Sequence, residues 1–311
     1  MGLEVKNLHK KYGDKVVVDN LSFEMKGPGV YALLGTNGAG KTTSIRMMLG
    51  MLARDGGEVL WNGQPLTTDN CNVGYLAEER GLYPKYSLMD QLMYFAQLRG
   101  VSKEEAKKRI RYWAERLGAE EYLFPEKKSK KAKTKPKLAD QLSKGNQQKI
   151  QFMIALISDP ELLILDEPLS GLDPVNTDLF KGIIREEIAA GKNLIMSSHQ
   201  MATVEEFCTD ITILDRSKTV LQGNLNEIKK SYGRVNLHLK TEEDAKDIID
   251  RTGAVLISAK EHEYQIKVTG EEQANRLLGS LIETGITVVT FDLREPSLHE
   301  IFVEKVGEVH E

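Results

Sequence analysis

Residues Gly35 to Thr43 read GTNGAGKTT, and they constrain the fold more than any other stretch of the chain. They fit the pattern G-x-x-x-x-G-K-[ST] through Gly35, Gly40, Lys41 and Thr42. The run VYALL before them, Val30 to Leu34, is short, apolar and β-prone, so it reads as a buried strand. The stretch TTSIRMMLGML after them predicts a helix with Ile45, Met48, Leu49 and Leu52 on one face. Strand, glycine-rich loop and helix, in that order, cradle a triphosphate. Glycines let the backbone N–H groups of Asn37, Gly38, Ala39, Gly40, Lys41, Thr42 and Thr43 come close to phosphate oxygens, and the helix N-terminus adds the positive end of a dipole. Lys41 is expected to reach the β- and γ-phosphates, and the Thr42 hydroxyl to sit on Mg²⁺.

A loop of this kind needs carboxylates, and the chain supplies them in LLILDEP, Leu162 to Pro168. An apolar strand there ends in Asp166 and Glu167, and at a strand's C-terminal end both can face the phosphate loop. Asp166 would hold Mg²⁺, directly or through water, and Glu167 would act as general base on the attacking water. A third motif is QLSKGNQQK, Gln141 to Lys149. Ser143 is a good N-cap for an amphipathic helix carrying Ile150, Met153, Ile154 and Ile157, and with Gly145 it leaves N–H groups pointing outward as an anion site.

The rest of the chain divides around these motifs. Its 311 residues suit two domains better than one, and 41% apolar content is enough for ordinary cores. A net charge of −4 argues against nucleic acid as the main partner. Cys71 and Cys208 have no metal-type spacing, and a reducing compartment explains them more simply than a disulfide. The start, MGLEVKNLHKKYG, has no apolar core of a signal peptide, and no apolar run approaches a membrane span, so the protein is expected to be soluble. In the first domain, residues 1–223, Leu3–Leu8, Val16–Met25 and Glu58–Asn62 read as partly buried strands. Val30–Leu34, Leu162–Leu165 and Asn193–Ser197 read as strands of a helix-covered parallel sheet. Ser87 to Lys144 reads as mostly helical, part of a helical subdomain at about 85–158. Ser102 and Glu105 read as a capping-box pair there, followed by Ala106, Ile110, Ala114 and Leu117 at helical spacing. The run KKSKKAKTKPK, Lys127 to Lys137, reads as a solvated loop, with contact to anionic lipid as the alternative.

From residue 224 to 311 the pattern changes. Strands are expected at Val235–Lys240, Ala254–Ala259, Glu263–Val268 and Ile286–Leu293, and helices at Glu242–Thr252, Glu271–Thr284 and Ser297–Val306. The order β-α-β-β-α-β is that of a small ferredoxin-like α+β domain. His238, His262 and His299 are scattered through it and read as surface or packing residues. It carries no nucleotide motif, so protein contact is its expected work.

Taken together, the phosphate loop, LSKGNQQ, LLILDEP, SGLD (Ser170 to Asp173) and SSH (Ser197 to His199) resemble the ATP-binding subunits of ABC transporters over roughly the first seventy per cent of the chain, judged by the order of the motifs. The resemblance implies an α/β P-loop NTPase domain with an antiparallel β subdomain and a helical subdomain. It implies Tyr12 stacked on adenine and His199 sensing the γ-phosphate. Ser143 and Gly145 would contact ATP held by the opposite subunit, and Asp173 would cross the interface. It further implies a head-to-tail dimer of this or a related chain enclosing two ATP molecules with Mg²⁺. An integral membrane permease would be the partner, on the inner face of the cell membrane.

Three departures from the commonest pattern stand out: Lys144 and Asn146 in the signature, Thr36 in the phosphate loop, and Glu78 where a metal- and water-sensing glutamine is usual. Glu78 keeps a metal role but cannot donate a hydrogen bond when ionised. GYLAEERGLYPKYS, LSKGNQQKIQF and EPSLHEIFVEKVGE are similar to the NatA-type subfamily, whose members are linked to extrusion of sodium or other compounds. Tyr83, Pro84 and Tyr86 are the expected permease contact, while Leu88, Leu92, Phe95 and Ala96 are expected to be core. The rival readings are a non-transport ABC ATPase, disfavoured because each motif occurs once, and an ATP-dependent regulatory protein with weak turnover.

Overall fold

The first strands alternate in burial, as a sheet covered on one face requires. β1 (Leu3–Tyr12) and β2 (Lys15–Met25) pair antiparallel, with Leu3 opposite Met25 and Tyr12 opposite Lys15. The computed structural model describes residues 2–79, 81–124 and 137–308. They form two compact units, Met1–Gln222 and Gly223–Glu311.

In the first unit, β3 (Gly29–Gly35) is buried along almost its whole length and feeds α1 (Lys41–Met48). The helix stops earlier than its sequence pattern suggests, because Gly50 turns the chain at a φ of 68°. β4 (Gly56–Trp61) and the short β5 (Gln64–Pro65) complete a four-stranded layer in the order β2-β1-β4-β5. β6 (Val73–Leu76) leads into the helical region: α2 (Leu88–Leu98), α3 (Lys103–Arg116), α4 (Glu120–Leu123) and α5 (Lys144–Leu156). Then come β7 (Leu162–Asp166), α6 (Pro174–Ala189), β8 (Asn193–Ser198), α7 (Met201–Phe207), β9 (Asp210–Asp215) and β10 (Lys218–Asn224). The central sheet runs β10-β9-β3-β8-β7-β6, and the pairs within β9-β3-β8-β7-β6 are parallel. The carboxyl ends of β3, β7 and β8 therefore open side by side, where ligands of such sheets bind.

The helical region follows its apolar spacing. Leu88, Leu92 and Ala96 of α2 are buried, as are Ala106, Ile110 and Ala114 of α3 and Leu117 just after it, whereas Tyr83 and Tyr86 are exposed. Ser102 caps α3 by accepting from the Glu105 amide, but the reciprocal half of the capping box is missing: the Glu105 carboxylate turns to Arg109 instead, 2.9 Å away. The lysine-rich segment lies outside the described residues except for Lys137, whose ammonium sits over the Tyr122 ring. Phe152 of α5 is fully buried and stacks on Phe180 of α6 at 4.5 Å between centroids. That contact fixes the two helices whose starts carry Ser143 and Asp173. Phe152→Ala is expected to cost about 3–5 kcal/mol, read as a lowered denaturant midpoint.

The second unit begins with α8 (Leu225–Tyr232), a helix outside the elements expected from the sequence. β11 (Asn236–Thr241), α9 (Lys246–Arg251), β12 (Val255–Lys260), β13 (Glu263–Lys267), α10 (Glu271–Glu283), β14 (Val288–Arg294) and α11 (Leu298–Glu308) follow. The sheet order β12-β13-β11-β14, antiparallel throughout, is the split βαβ arrangement. Leu237, Leu239, Tyr264 and Ile266 point to one side and form a core with Ile249, Leu277 and Leu281. α9 is shorter than the helix expected over Glu242–Thr252. The Glu242 amide bonds to the Thr287 carbonyl and the Glu243 carboxylate accepts from the Thr287 amide, which holds these residues against the neighbouring chain. Cys71 and Cys208 are both free and buried, and burial pushes the Cys71 thiol up to about 12.

Candidate functional site

The phosphate loop owes its shape to glycines that nothing else can replace. Gly35 has a φ of 152°, and a Cβ there would stand 2.3 Å from the Leu214 carbonyl oxygen. Gly40, the residue before α1, has a φ of 106°, and a Cβ there would stand 2.5 Å from the Val17 carbonyl oxygen. A side chain at either position would push the loop off the sheet. Gly38 also has a positive φ, 82°.

The side chains converge at the carboxyl ends of β3, β7 and β8. Lys41 is buried, and its ammonium donates to the carbonyls of Gly35 and Thr36 at 2.8 and 3.2 Å. It also lies 3.5 Å from Glu167 Oε1. Glu167 Oε2 is 2.8 Å from His199 Nδ1. One carboxylate thus stands between an ammonium and an imidazole. The Glu167 backbone has a φ of 50°, a left-handed conformation rare for a non-glycine residue, and such strain gathers at functional sites. The Glu167 amide donates to Ser197 Oγ at 3.0 Å, and Ser197 Oγ in turn donates to Asp166 Oδ1. Thr42 Oγ1 donates to the same oxygen at 3.2 Å. Burial raises the Asp166 carboxyl above its ordinary range, opposed by the hydrogen bonds from Ser197 and Thr42.

Asp166 Oδ2 and Glu167 Oε1 are buried oxygens without a hydrogen-bond partner among the described residues. The free Asp166 oxygen beside the Thr42 hydroxyl is a hard donor, and the two fit a divalent cation such as Mg²⁺ that takes its other ligands from water and nucleotide phosphate. Glu78 borders the same space but does not gather with Asp166 and Glu167 into a three-residue metal set; among the described residues there is no such set.

A cavity of about 400 Å³ opens over the loop. Asn37, Gly38, Gly40, Lys41, Thr42, Thr43, Glu78 and Glu167 border it. So do Lys15 and Val17, which the sequence reading missed. Their one signal is position: β2 starts with Lys15 directly opposite Tyr12. Tyr12 itself does not border the cavity; its ring is half exposed and lies beneath the Lys10 ammonium. Ser197 was also missed, although it lies in the quoted SSH, because its work is to hold two carboxylate-bearing residues from a neighbouring strand.

Ser143, Gly145 and Asp173 lie away from this cavity. Ser143 caps α5 by accepting from the Asn146 amide at 3.3 Å. Asp173 caps α6 by accepting from the Asn176 amide at 3.0 Å, with Pro174 in the first turn, and those backbone bonds hold its carboxyl below the ordinary range. Asn146 donates its side-chain amide to the Tyr122 hydroxyl at 2.8 Å, which gives this signature residue a local purpose. α5 also holds the chain next to two cavity residues, Glu167 and Glu78. Gln151 donates to the Glu79 carbonyl at 3.1 Å and Gln148 to the Pro168 carbonyl at 2.8 Å. Arg46 of α1 lies 3.5 Å from the Glu79 carboxylate. The loop after β6 is thereby tied to both the phosphate-loop helix and α5. On the far side of that loop, Tyr83, Tyr86, Asp90, Gln91 and Tyr94 border a second cavity of about 400 Å³.

The chain matches the ABC transporter family over residues 18–170, and the family described as ATP-binding protein DrrA1-3-like, C-terminal domain, over residues 223–306. It is 41% identical over 310 residues to an uncharacterised ABC transporter ATP-binding protein, YhaQ, of Bacillus subtilis, covering 99% of this chain and 100% of that one. The linearmycin resistance ATP-binding protein LnrL of the same organism is 28% identical over 98% of each chain. The Nod factor export ATP-binding protein I of Cupriavidus metallidurans is 31% identical, covering 73% of this chain and 72% of its own. A solved structure described as the ATP-binding subunit of an ABC transporter superposes with a TM-score of 0.65 at 28% identity, over 75% of this chain and 93% of that one.

Proposed function

We propose that this chain, which belongs to the family of ABC transporter ATP-binding proteins, hydrolyses ATP to drive export through a separate membrane permease. The observation that carries the reading is the placing of Glu167 between Lys41 and His199 at the mouth of the phosphate loop. Lys41 and the loop amides bind the β- and γ-phosphates, Thr42 and Asp166 hold the divalent cation, and Glu167 takes the proton of the attacking water. His199 orients Glu167 and reads the γ-phosphate. The cation, when bound, neutralises charge on the phosphates. Export is the direction carried by the relatives named for linearmycin resistance and Nod factor export. A NatA-type assignment is the finer reading, resting on the segments around Glu78, Ser143 and Pro296. Among the described residues no helix is long and apolar enough to cross a membrane, so the pathway belongs to the partner. Tyr83, Pro84 and Tyr86, beside the loop tied to α5, are the contact we assign to the permease. The second unit, Gly223–Glu311, serves protein contact. The direct test is phosphate release by the purified chain, with turnover rising faster than linearly in protein concentration as pairs form. No ATP turnover at any concentration would overturn the reading.

Ser143 and Gly145 act on ATP held by a second subunit, and the fold supports this. A Cβ at Gly145 would stand 3.6 Å from Asn176 Nδ2 and 3.7 Å from Leu172 Cδ2, ordinary contact, and its φ is not positive. This chain's own packing has no need of glycine there. Gly145→Gln is therefore expected to keep the fold, with up to about 1 kcal/mol gained in helix propensity. It should keep ATP binding by the single chain and lose ATP-driven pairing in a Glu167→Gln background. Thermal melting and light scattering check the two halves; normal pairing would remove the cross-subunit role.

A further inference from the structure

The geometry points to Glu78 as a charge gate that makes nucleotide binding depend on the divalent cation: the site rejects bare ATP and accepts its metal complex. This rests on the nucleotide reading of the phosphate loop and goes beyond it. The wall of the cavity carries the cations Lys15 and Lys41 and the carboxylates Glu78 and Glu167, with Asp166 bound to Thr42 directly behind. Three carboxylates face two ammonium groups, and one of those, Lys41, is already engaged by two carbonyls and by Glu167. Bare ATP brings a further polyanion into this space. The buried Asp166 Oδ2, which has no hydrogen-bond partner among the described residues, marks where positive charge is lacking, whereas Glu167 Oε1 already faces Lys41.

Among the described residues Glu78 is in no three-residue cluster of His, Cys, Asp or Glu, so the gate rests on its charge. Its neighbour Glu79 takes up Arg46, and among the described residues no ion pair neutralises Glu78. Its carboxylate is exposed on the cavity rim, where it repels an approaching polyanion and attracts a cation-bearing one. A glutamine here would leave two carboxylates against two cations and weaken the discrimination.

The experiment uses the full chain and a hydrolysis-resistant imido analogue of ATP, titrated calorimetrically in excess Mg²⁺ and in EDTA. Wild type is expected to bind about 100-fold more weakly in EDTA, and Glu78→Gln to close about tenfold of that gap by tightening the metal-free arm. That is the size expected from removing one unit charge several ångströms from a polyanion in partly screened surroundings. Glu78→Asp should keep the wild-type gap, and added salt should narrow it. Equal affinity in both arms for wild type, or no change in the EDTA arm for Glu78→Gln, overturns the gate. Lys41→Ala separates the two levels: if it weakens both arms while Glu78→Gln is silent, only the gate falls. If it changes neither arm, the nucleotide site falls and the gate with it.

Discussion

Glu167→Gln is expected to lower ATP turnover by about 10²–10⁴-fold while ATP still binds. The amide has the size and shape of the carboxylate, so the left-handed backbone at this position and its amide bond to Ser197 are kept. Contact with His199 Nδ1 also survives in neutral form. What is lost is the lone pair basic enough to take a proton from water. The ion pair with Lys41 disappears too, which frees the ammonium for phosphate, so binding should tighten slightly. Phosphate release measured beside a calorimetric titration separates the two effects. Wild-type turnover in this variant would show that another group is the base.

Lys41→Ala is expected to weaken ATP binding about 100-fold and to abolish turnover. Charge-assisted bonds to phosphate are the strong ones, and Lys41 supplies the buried ammonium at the loop. The substitution also takes a donor from the Gly35 and Thr36 carbonyls and a counter-charge from Glu167, itself only 5% exposed. The free protein should therefore melt earlier, by the equivalent of about 1–3 kcal/mol. Affinity and melting point move together here, unlike in Glu167→Gln, and the pair of measurements tells the two residues apart. Unchanged affinity would count against the phosphate loop as the nucleotide site.

What could be read from the sequence was local. The phosphate loop with its strand, Val30 to Thr43, and LLILDEP, Leu162 to Pro168, each carry strand, turn and chemistry in one short stretch of continuous chain, so pattern alone places them. Ser197 contributes from β8 to carboxylates at the end of β7, which strand pairing brings together, and Lys15 and Val17 contribute from β2, in the other sheet, to a loop after β3, which only the packing of the two layers brings together. β9 was not recognised because its apolar residues, Ile211, Ile213 and Leu214 around Thr212, make too short a run for a period to separate strand from buried helix. α8 is only eight residues long and starts on Asn224, a cap signal too common to act on alone. The shortened α9 and the early end of α1 were set by contacts with Thr287 and by Gly50, one distant and one a single residue.

One helix, α5, carries the proposed cross-subunit serine at its start and, through Gln148 and Gln151, holds the backbone of Pro168 and Glu79, the residues next to Glu167 and Glu78. A stiff rod of thirteen residues moves as one piece. When its Ser143 end closes on a neighbour's ATP, the strain is delivered at once to the Pro168 and Glu79 carbonyls of its own site. If two chains pair in the proposed way they would keep common time: neither site would fire as an independent clock, and the rhythm of the cycle would belong to the pair.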